Sequence, residues 1–570
     1  MSLLEQRVRW DALVKARTAP GKRVVVLSTF SVDPVVPYLG TELEDRGLAF
    51  DVRVGPYGQI AQQCLDPASE TARGGCDVLV VWPRFEDLWA GRPAPLEATD
   101  SGYGEALLEL AAVAADAARR WSATLVFVLP SVPDTLPLGV GDLRNPNGVI
   151  ATATRARELA ADHLRKTGAW IADADRMVRS VGARRAYDPR LATLARIPFT
   201  QELYAEAGAQ VARLVALAHK PAKKVVVVDG DNTLWGGVIG EVGWEHVDLA
   251  DNAPGEAFRE LQTFLRDLRR AGWLLALCSK NDDADIRQVF TRTEMRIGLA
   301  DFVTRRVGWD SKAVSIAAIA EELGLGLDSF VFLDDNPHEI AEVTAKLPMV
   351  TCIQIPADIV HWRTTLERSG AFDRPPPTAT DLARAAQYDV ERERQTIRER
   401  FASNEAYLAD LGIQIRVYPP REEHIARLVQ LIAKTNQFNL NGRRRTEAEL
   451  RALCASDQHV VLLAEARDRF GDYGQIGAVI VDLTAPDRAI LDTFLLSCRV
   501  LGRGIEEAVL AETRTRVAIR GVTELIATVE IQPRNEPART FFARLGATEP
   551  ARPTPLVDVP RPPHVEVVPT

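Results

Sequence analysis

A chain of 570 residues with 46% hydrophobic and 26% charged residues has ordinary globular composition and is too long for one core, so a soluble enzyme of three domains is the natural expectation. Its formal net charge of −9 argues against an electrostatic nucleic-acid footprint, and the basic run Arg443-Arg444-Arg445 is too short to reverse that and reads as a solvated helix start. The N-terminus lacks a signal-peptide core and no apolar stretch approaches the roughly 18 residues that span a bilayer, which excludes a membrane protein and points to the cytoplasm.

Residues 1–200 alternate strands and helices. Apolar β runs at Arg23 to Phe30, Asp77 to Pro83 and Ala123 to Pro130, with an Ala-rich amphipathic helix from Glu105 to Trp121, predict a doubly wound α/β sheet. Ser28 ends the first strand, where a hydrolase of this architecture would carry a nucleophile. No downstream Asp-x-x-His supplies its partner, and His163 lies inside a charged helical stretch. Ser28 therefore reads as a turn or capping residue, and the domain as a degenerate SGNH-hydrolase-like fold used for binding or scaffolding.

A helix from Thr200 to His219 leads to Pro221 and a double lysine, which mark a boundary. The central unit, residues 221–372, then alternates: a strand over Val225 to Val228, a helix Gly255 to Ala271, a strand at Trp273, helices Ala284 to Arg292 and Lys312 to Leu323, a strand at Phe330, a helix His338 to Lys346, and a last strand near Val350 to Ile355. Only about twenty residues separate Trp235 from the next helix, which leaves room for a minimal cap over the strand ends. A Pro-rich break at Asp373 to Pro377 opens a charged helical connector, residues 373–411.

The last domain, residues 412–548, is expected to be α+β. It has strands at Ile413 to Tyr418, Val460 to Ala466, Gln475 to Asp482, Ala489 to Leu496 and Glu524 to Glu530, and helices at Glu422 to Thr435 and Ile505 to Thr513. A Pro-rich tail, residues 549–570, is expected to be poorly ordered.

The chemistry-bearing residues sit at strand ends. Four valines deliver Asp229 and Asp231 to the end of a buried strand, a place where Asp229 and the backbone carbonyl of Asp231 can hold Mg²⁺ and a carboxylate can attack phosphorus. Cys278-Ser279-Lys280-Asn281 ends the next strand with a hydroxyl and an amide suited to phosphate, and Lys312 opens a helix. Phe330 to Leu333 lead into Asp334 and Asp335. Ligands of parallel βα units lie beyond the carboxyl ends of the strands, where all of these fall.

In the last domain, Ser497-Cys498-Arg499-Val500-Leu501-Gly502-Arg503-Gly504 places Arg-x-x-Gly-x-Gly at a strand-to-helix turn, which lets backbone N–H groups approach a pyrophosphate or pantetheine phosphate. Positive potential there would favour a Cys498 thiolate. The other five cysteines lack Cys-x-x-Cys or zinc spacing, and Cys278 reads as core.

Strand-end Asp-x-Asp-x-Thr, strand-end Ser, Lys and Asp-Asp in this order resemble the haloacid dehalogenase (HAD) superfamily of aspartate-nucleophile phosphatases. The resemblance implies Asp229 as nucleophile, Asp231 as general acid and base, Thr233 and Ser279 as phosphate ligands with Lys280 and Asn281 beside them, Lys312 as charge partner, and Asp229, Asp231, Asp334 and Asp335 as metal ligands. The turn at Arg499, Gly502 and Gly504, with the closing segment Asn535 to Gly546, resembles the Gcn5-related acetyltransferase (GNAT) fold.

A narrower likeness covers Val24 to about Gly546. Asp229-Gly230-Asp231-Asn232-Thr233-Leu234-Trp235-Gly236-Gly237, Cys278-Ser279-Lys280-Asn281, Asp334-Asp335-Asn336-Pro337 and Lys434-Thr435-Asn436-Gln437-Phe438-Asn439-Leu440 resemble the FkbH-like glyceryltransferase/phosphatase family. That family usually has an apolar residue where this chain has Gly230. The resemblance implies transfer of glyceryl from 1,3-bisphosphoglycerate, a phosphorylated three-carbon substrate, to the 4′-phosphopantetheine of an acyl carrier protein for polyketide-type biosynthesis. Cys498 would carry the acyl group, and Asn436 and Asn439 would hydrogen-bond a hydroxylated acyl group or the pantetheine arm. A stand-alone phosphatase and a carrier-binding acyltransferase acting on a different acyl group are the rival readings.

Overall fold

The computed structural model describes residues 3–17, 21–89, 102–133, 135–376, 398, 401, 403–435, 437–485, 488–522, 524–532, 535–548 and 551–569. It divides into two compact units, Met1–Leu382 and Ala383–Thr570. The first holds two five-stranded sheets, and all pairings in both are parallel.

In the first sheet the spatial order is Phe50–Val54, Lys22–Ser28, Val78–Trp82, Thr124–Leu129 and Trp170–Asp173. Strands covered on both faces need continuous apolar runs, and the alternation of this sheet feeds two cores. Val24, Val26, Val80 and Trp82 pack with the helices Val35–Asp45 and Gln201–His219 on one face. Val25, Leu27, Leu79 and Val81 pack with Gly102–Trp121 and Val149–Thr167 on the other. This is the doubly wound α/β arrangement expected. The helix Gln201–His219, read from sequence as a lead into the central unit, instead buries Leu203, Tyr204, Ala207 and Val211 in the core of the first sheet. Its Arg213 forms a two-pronged ion pair with Asp373 near the end of the unit.

The second sheet runs Thr351–Gln354, Phe330–Asp334, Val225–Val228, Leu274–Ser279, Phe302–Val307. Val228 lies opposite both Leu333 and Leu277, so Asp229 and Asp334 leave the sheet at one level, with Ser279 two residues past Leu277 on the adjacent strand. Between Trp235 and the helix Ala253–Arg270 there is only the short helix Ile239–Val242, with a bridge between Gly236 and Asp248. A minimal cap is what the spacing implied. The helix Lys312–Leu323 begins at the lysine placed there by sequence.

The second unit contains an eight-stranded sheet in which Ile413–Tyr418, His459–Asp468, Gly471–Asp482 and Arg488–Leu496 are successive antiparallel neighbours. The helix Ile505–Ala518 then crosses to Glu524–Ala527, which pairs parallel with Arg488–Leu496. This is the α+β, GNAT-like layout expected. The helical connector expected over residues 373–411 lies mostly outside the described residues; its last part is the helix Asn404–Leu411. The tail departs from expectation. Thr554–Pro555 pairs with Glu524–Ala527 and Val565–Val567 pairs with Ile413–Tyr418, so the tail adds a strand at each edge of the sheet. Prolines between two short strands do not obstruct edge pairing, because each strand needs donors on one side only.

Candidate active site

Three strand ends and one helix start converge beyond the second sheet. Nζ of Lys312 lies 2.9 Å from Oδ1 of Asp229 and hydrogen-bonds Oδ2 of Asp334. Oxygens of Asp229, Asp334 and Asp335 all lie within 4.8 Å of one another. Asp229, Asp334 and Lys312 are buried, with 5%, 0% and 3% exposure. Two buried carboxylates thus share one ammonium, and the trio carries a net charge of −1 that a low-dielectric site does not tolerate well.

The titration behaviour follows from that imbalance. Burial pushes the Asp229 carboxyl up to about 6, against the opposing pull of Lys312 and with repulsion from Asp334 adding to the rise. Burial likewise raises Asp334 and Asp335. Burial works to lower Lys312, but the Asp229 and Asp334 carboxylates outweigh it and hold the ammonium above its usual range. An oxygen-only cluster carrying excess negative charge is the donor set that a hard divalent cation takes.

Asp231 points elsewhere. Its Oδ1 accepts from Nε1 of Trp235 at 2.9 Å and from the N–H of Ile239 at 3.3 Å, and its Oδ2 accepts from Asn281 at 3.0 Å. Its carboxylate is outside the three-acid cluster, which leaves only its backbone carbonyl for the metal role foreseen. Asn281 also donates to Oγ of Ser279 at 3.1 Å, and both residues are buried. The buried hydroxyl of Thr233 has no hydrogen-bond partner among the described residues, the state expected of a group that awaits a ligand. Lys280, foreseen beside phosphate, instead pairs with Glu339 at 2.5 Å.

Two contributors escaped the sequence reading. Trp235 holds Asp231 from four residues away, which the quoted motif could have suggested. Asn232 takes a left-handed φ of 50° and accepts from the N–H of Gly237 at 2.9 Å, folding the loop back on itself. Gly230 also finds its reason here: a Cβ would stand 2.8 Å from the Trp235 ring and 3.0 Å from Oγ of Ser279. Gly230→Leu, the apolar type usual in the resembling family, should therefore destabilise the protein by about 1–3 kcal/mol through overpacking; an unchanged thermal melt would show that Trp235 gives way freely.

The geometry defines a HAD-type α/β fold with an acid and lysine cluster at its strand ends. The N-terminal part of protein BF1531 from Bacteroides fragilis, a crystal structure containing a phosphatase domain complexed with Mg, matches with a TM-score of 0.58 at 22% identity, over 66% of this chain and 99% of that one. A HAD family enzyme from Bacteroides thetaiotaomicron, solved with magnesium and inorganic phosphate, matches at 11% identity over 24% of this chain and 95% of its own, with a TM-score of 0.18. A tandem GNAT protein from the clavulanic acid biosynthesis pathway matches at 20% identity over 24% of this chain and 43% of its own, with a TM-score of 0.19. No protein-family model and no curated protein matches the chain.

Ser28 is buried and donates to the carbonyl of Phe30, the turn role expected. Cys278 is buried and its thiol is pushed up to about 12, chiefly by burial, as a core residue requires. In the second unit, Asn439 is buried; its amide donates to the carbonyl of Thr435 at 3.0 Å and accepts from the N–H groups of Asn441 and Gly442. Asn436 and the side chain of Cys498 lie outside what the structure describes. Nε of Arg499 donates to Oγ of Ser497 at 3.3 Å. The run at 443–445 stands just before the helix Glu447–Cys454 with Arg443 and Arg444 exposed, as expected, while Arg443 and Arg445 also pair with Asp492 and Arg444 donates to the carbonyl of Ile432. No helix among the described residues is long and apolar enough to cross a membrane.

Proposed function

We propose that the protein is a Mg²⁺-dependent phosphatase and glyceryl transferase of the FkbH-like type, which takes glyceryl from 1,3-bisphosphoglycerate, removes the remaining phosphate and leaves the acyl group on the 4′-phosphopantetheine of an acyl carrier protein. The observation that carries the phosphate half is the Asp229, Asp334 and Asp335 cluster around Lys312. The Mg in the BF1531 structure lends the same reading support.

Asp229, Asp334, Asp335 and the carbonyl of Asp231 would hold the cation, which supplies charge neutralisation of phosphate oxygens when bound. Lys312 holds the Asp229 carboxylate in place and offsets the repulsion between it and an incoming phosphate dianion. Oδ of Asp229 attacks phosphorus, the P–O bond to the glyceryl oxygen breaks, and Asp231, oriented by Trp235 and Asn281, delivers a proton to that oxygen. Water then cleaves the aspartyl phosphate, with Asp231 taking the proton. Ser279 and the unpartnered hydroxyl of Thr233 serve as hydrogen-bonding groups for the phosphoryl oxygens.

For the acyl half, the Cys498 thiolate attacks the carbonyl of the acyl phosphate, phosphate leaves, and the carrier thiol displaces Cys498 from the resulting thioester. Residues 1–200 would act as a binding or scaffolding domain, residues 221–372 in phosphate chemistry and residues 412–548 in acyl transfer.

Intact mass of a purified carrier protein, after incubation with bisphosphoglycerate, Mg²⁺ and this protein, should rise by one glyceryl group. Phosphate release with no change in carrier mass would favour a stand-alone phosphatase. An acyl adduct should form on the native protein and be absent from Cys498→Ala; an adduct that survives the substitution removes Cys498 as the attachment point.

A further inference from the structure

The Arg-x-x-Gly-x-Gly turn, expected to offer its N–H groups to a diphosphate, is closed by atoms of the chain itself. Gly502 and Gly504 take left-handed φ values of 75° and 80°, and the N–H of Gly502 donates to Oε1 of Glu506 at 2.6 Å. Glu506 lies in the first turn of the helix Ile505–Ala518, where the helix end favours an anion. It is 6% exposed, and its second oxygen is buried with no hydrogen-bond partner among the described residues. Gly504 is approached from the other side by the tail. A Cβ there would stand 2.9 Å from Nε2 of His564 and 3.1 Å from Cγ of Pro562. Nε2 of His564 donates to the carbonyl of Arg503 at 2.9 Å, and the strand Val565–Val567 anchors the tail to the sheet edge directly afterwards. The Arg503 guanidinium is engaged over the ring of Tyr473 and on its hydroxyl.

A diphosphate entering this turn would lose the Gly502 N–H to a carboxylate already bonded there, and would meet the buried Glu506 carboxylate at close range. We propose that Glu506, supported by Pro562 and His564, is a specificity residue that denies the turn to the diphosphate of free coenzyme A. The second unit then takes its thiol as a pantetheine arm attached to a protein, whose single phosphodiester does not require the turn. The identity of that arm rests on the carrier reading above; the exclusion of the diphosphate does not.

Equilibrium dialysis of the full chain against radiolabelled coenzyme A, beside Glu506→Ala and Glu506→Gln, tests this. The native chain should hold coenzyme A no more tightly than 4′-phosphopantetheine. Glu506→Ala, which frees the Gly502 N–H and removes the charge, should gain about tenfold or more in affinity for coenzyme A and nothing for 4′-phosphopantetheine, with Glu506→Gln in between. Native binding that prefers coenzyme A overturns the proposal, as does a folded Glu506→Ala with no gain. Should both variants fail to fold, the comparison of the two ligands on the native chain decides. Failure to load a carrier protein while the exclusion holds counts against the carrier reading alone.

Discussion

Asp229→Asn should release no phosphate above background from a phosphorylated three-carbon substrate in the presence of Mg²⁺, a loss of about 10⁴-fold or more, because the amide lacks the anionic oxygen that attacks phosphorus. Its stability should move the other way. The native trio holds two carboxylates against one ammonium in a buried site, and the substitution leaves a balanced pair of Lys312 and Asp334. Melting of the variant at or above the native temperature, together with lost turnover, is the signature of a group retained for chemistry at the expense of stability. Turnover within tenfold of native would remove Asp229 as nucleophile and the phosphatase reading with it.

Lys312→Met should have the largest effect on folding. The lysine is 3% exposed and contacts both carboxylates, so an apolar side chain of similar length fills its space but leaves two like charges facing each other without water. Removing one partner of a buried ion pair costs about 3–5 kcal/mol, which should appear as a marked drop in the unfolding midpoint of the first unit at neutral pH. Mg²⁺ should recover part of the drop, since any cation that binds only the folded acids stabilises by mass action. A variant that melts like the native protein, with or without Mg²⁺, would show that the acids relax apart or take protons without penalty, and the electrostatic account of the cluster would fail.

Much of the central unit was legible from residue order. Val225 to Val228 and Phe330 to Leu333 are runs that only a strand buried on both faces uses, and each ends in acids, so the place of Asp229 and Asp334 at strand ends follows from chain neighbours. The start of the helix at Lys312 was equally local. Strands at or near a sheet edge were harder to see. Phe302–Val307 carries Arg305 and Arg306 on a partly exposed edge, and Phe50–Val54 and Trp170–Asp173 are short edge strands of the first sheet whose apolar content is diluted by polar residues. The two tail strands lack any signal of their own, because they are two and three residues long and exist only through the edges they pair with.

Residue types and spacing thus established which groups stand at the ends of strands and that an oxygen-rich, phosphate-directed site could be assembled from them. They did not establish who pairs with whom. That Lys312 bridges Asp229 and Asp334, that Asn281 holds Asp231 and that Lys280 turns to Glu339 are outcomes of strand order and register. Strand formation follows from side chains within a few residues of one another. The choice of partner for these charged groups is made between segments from 22 to 83 residues apart, and only the packed fold brings those into range.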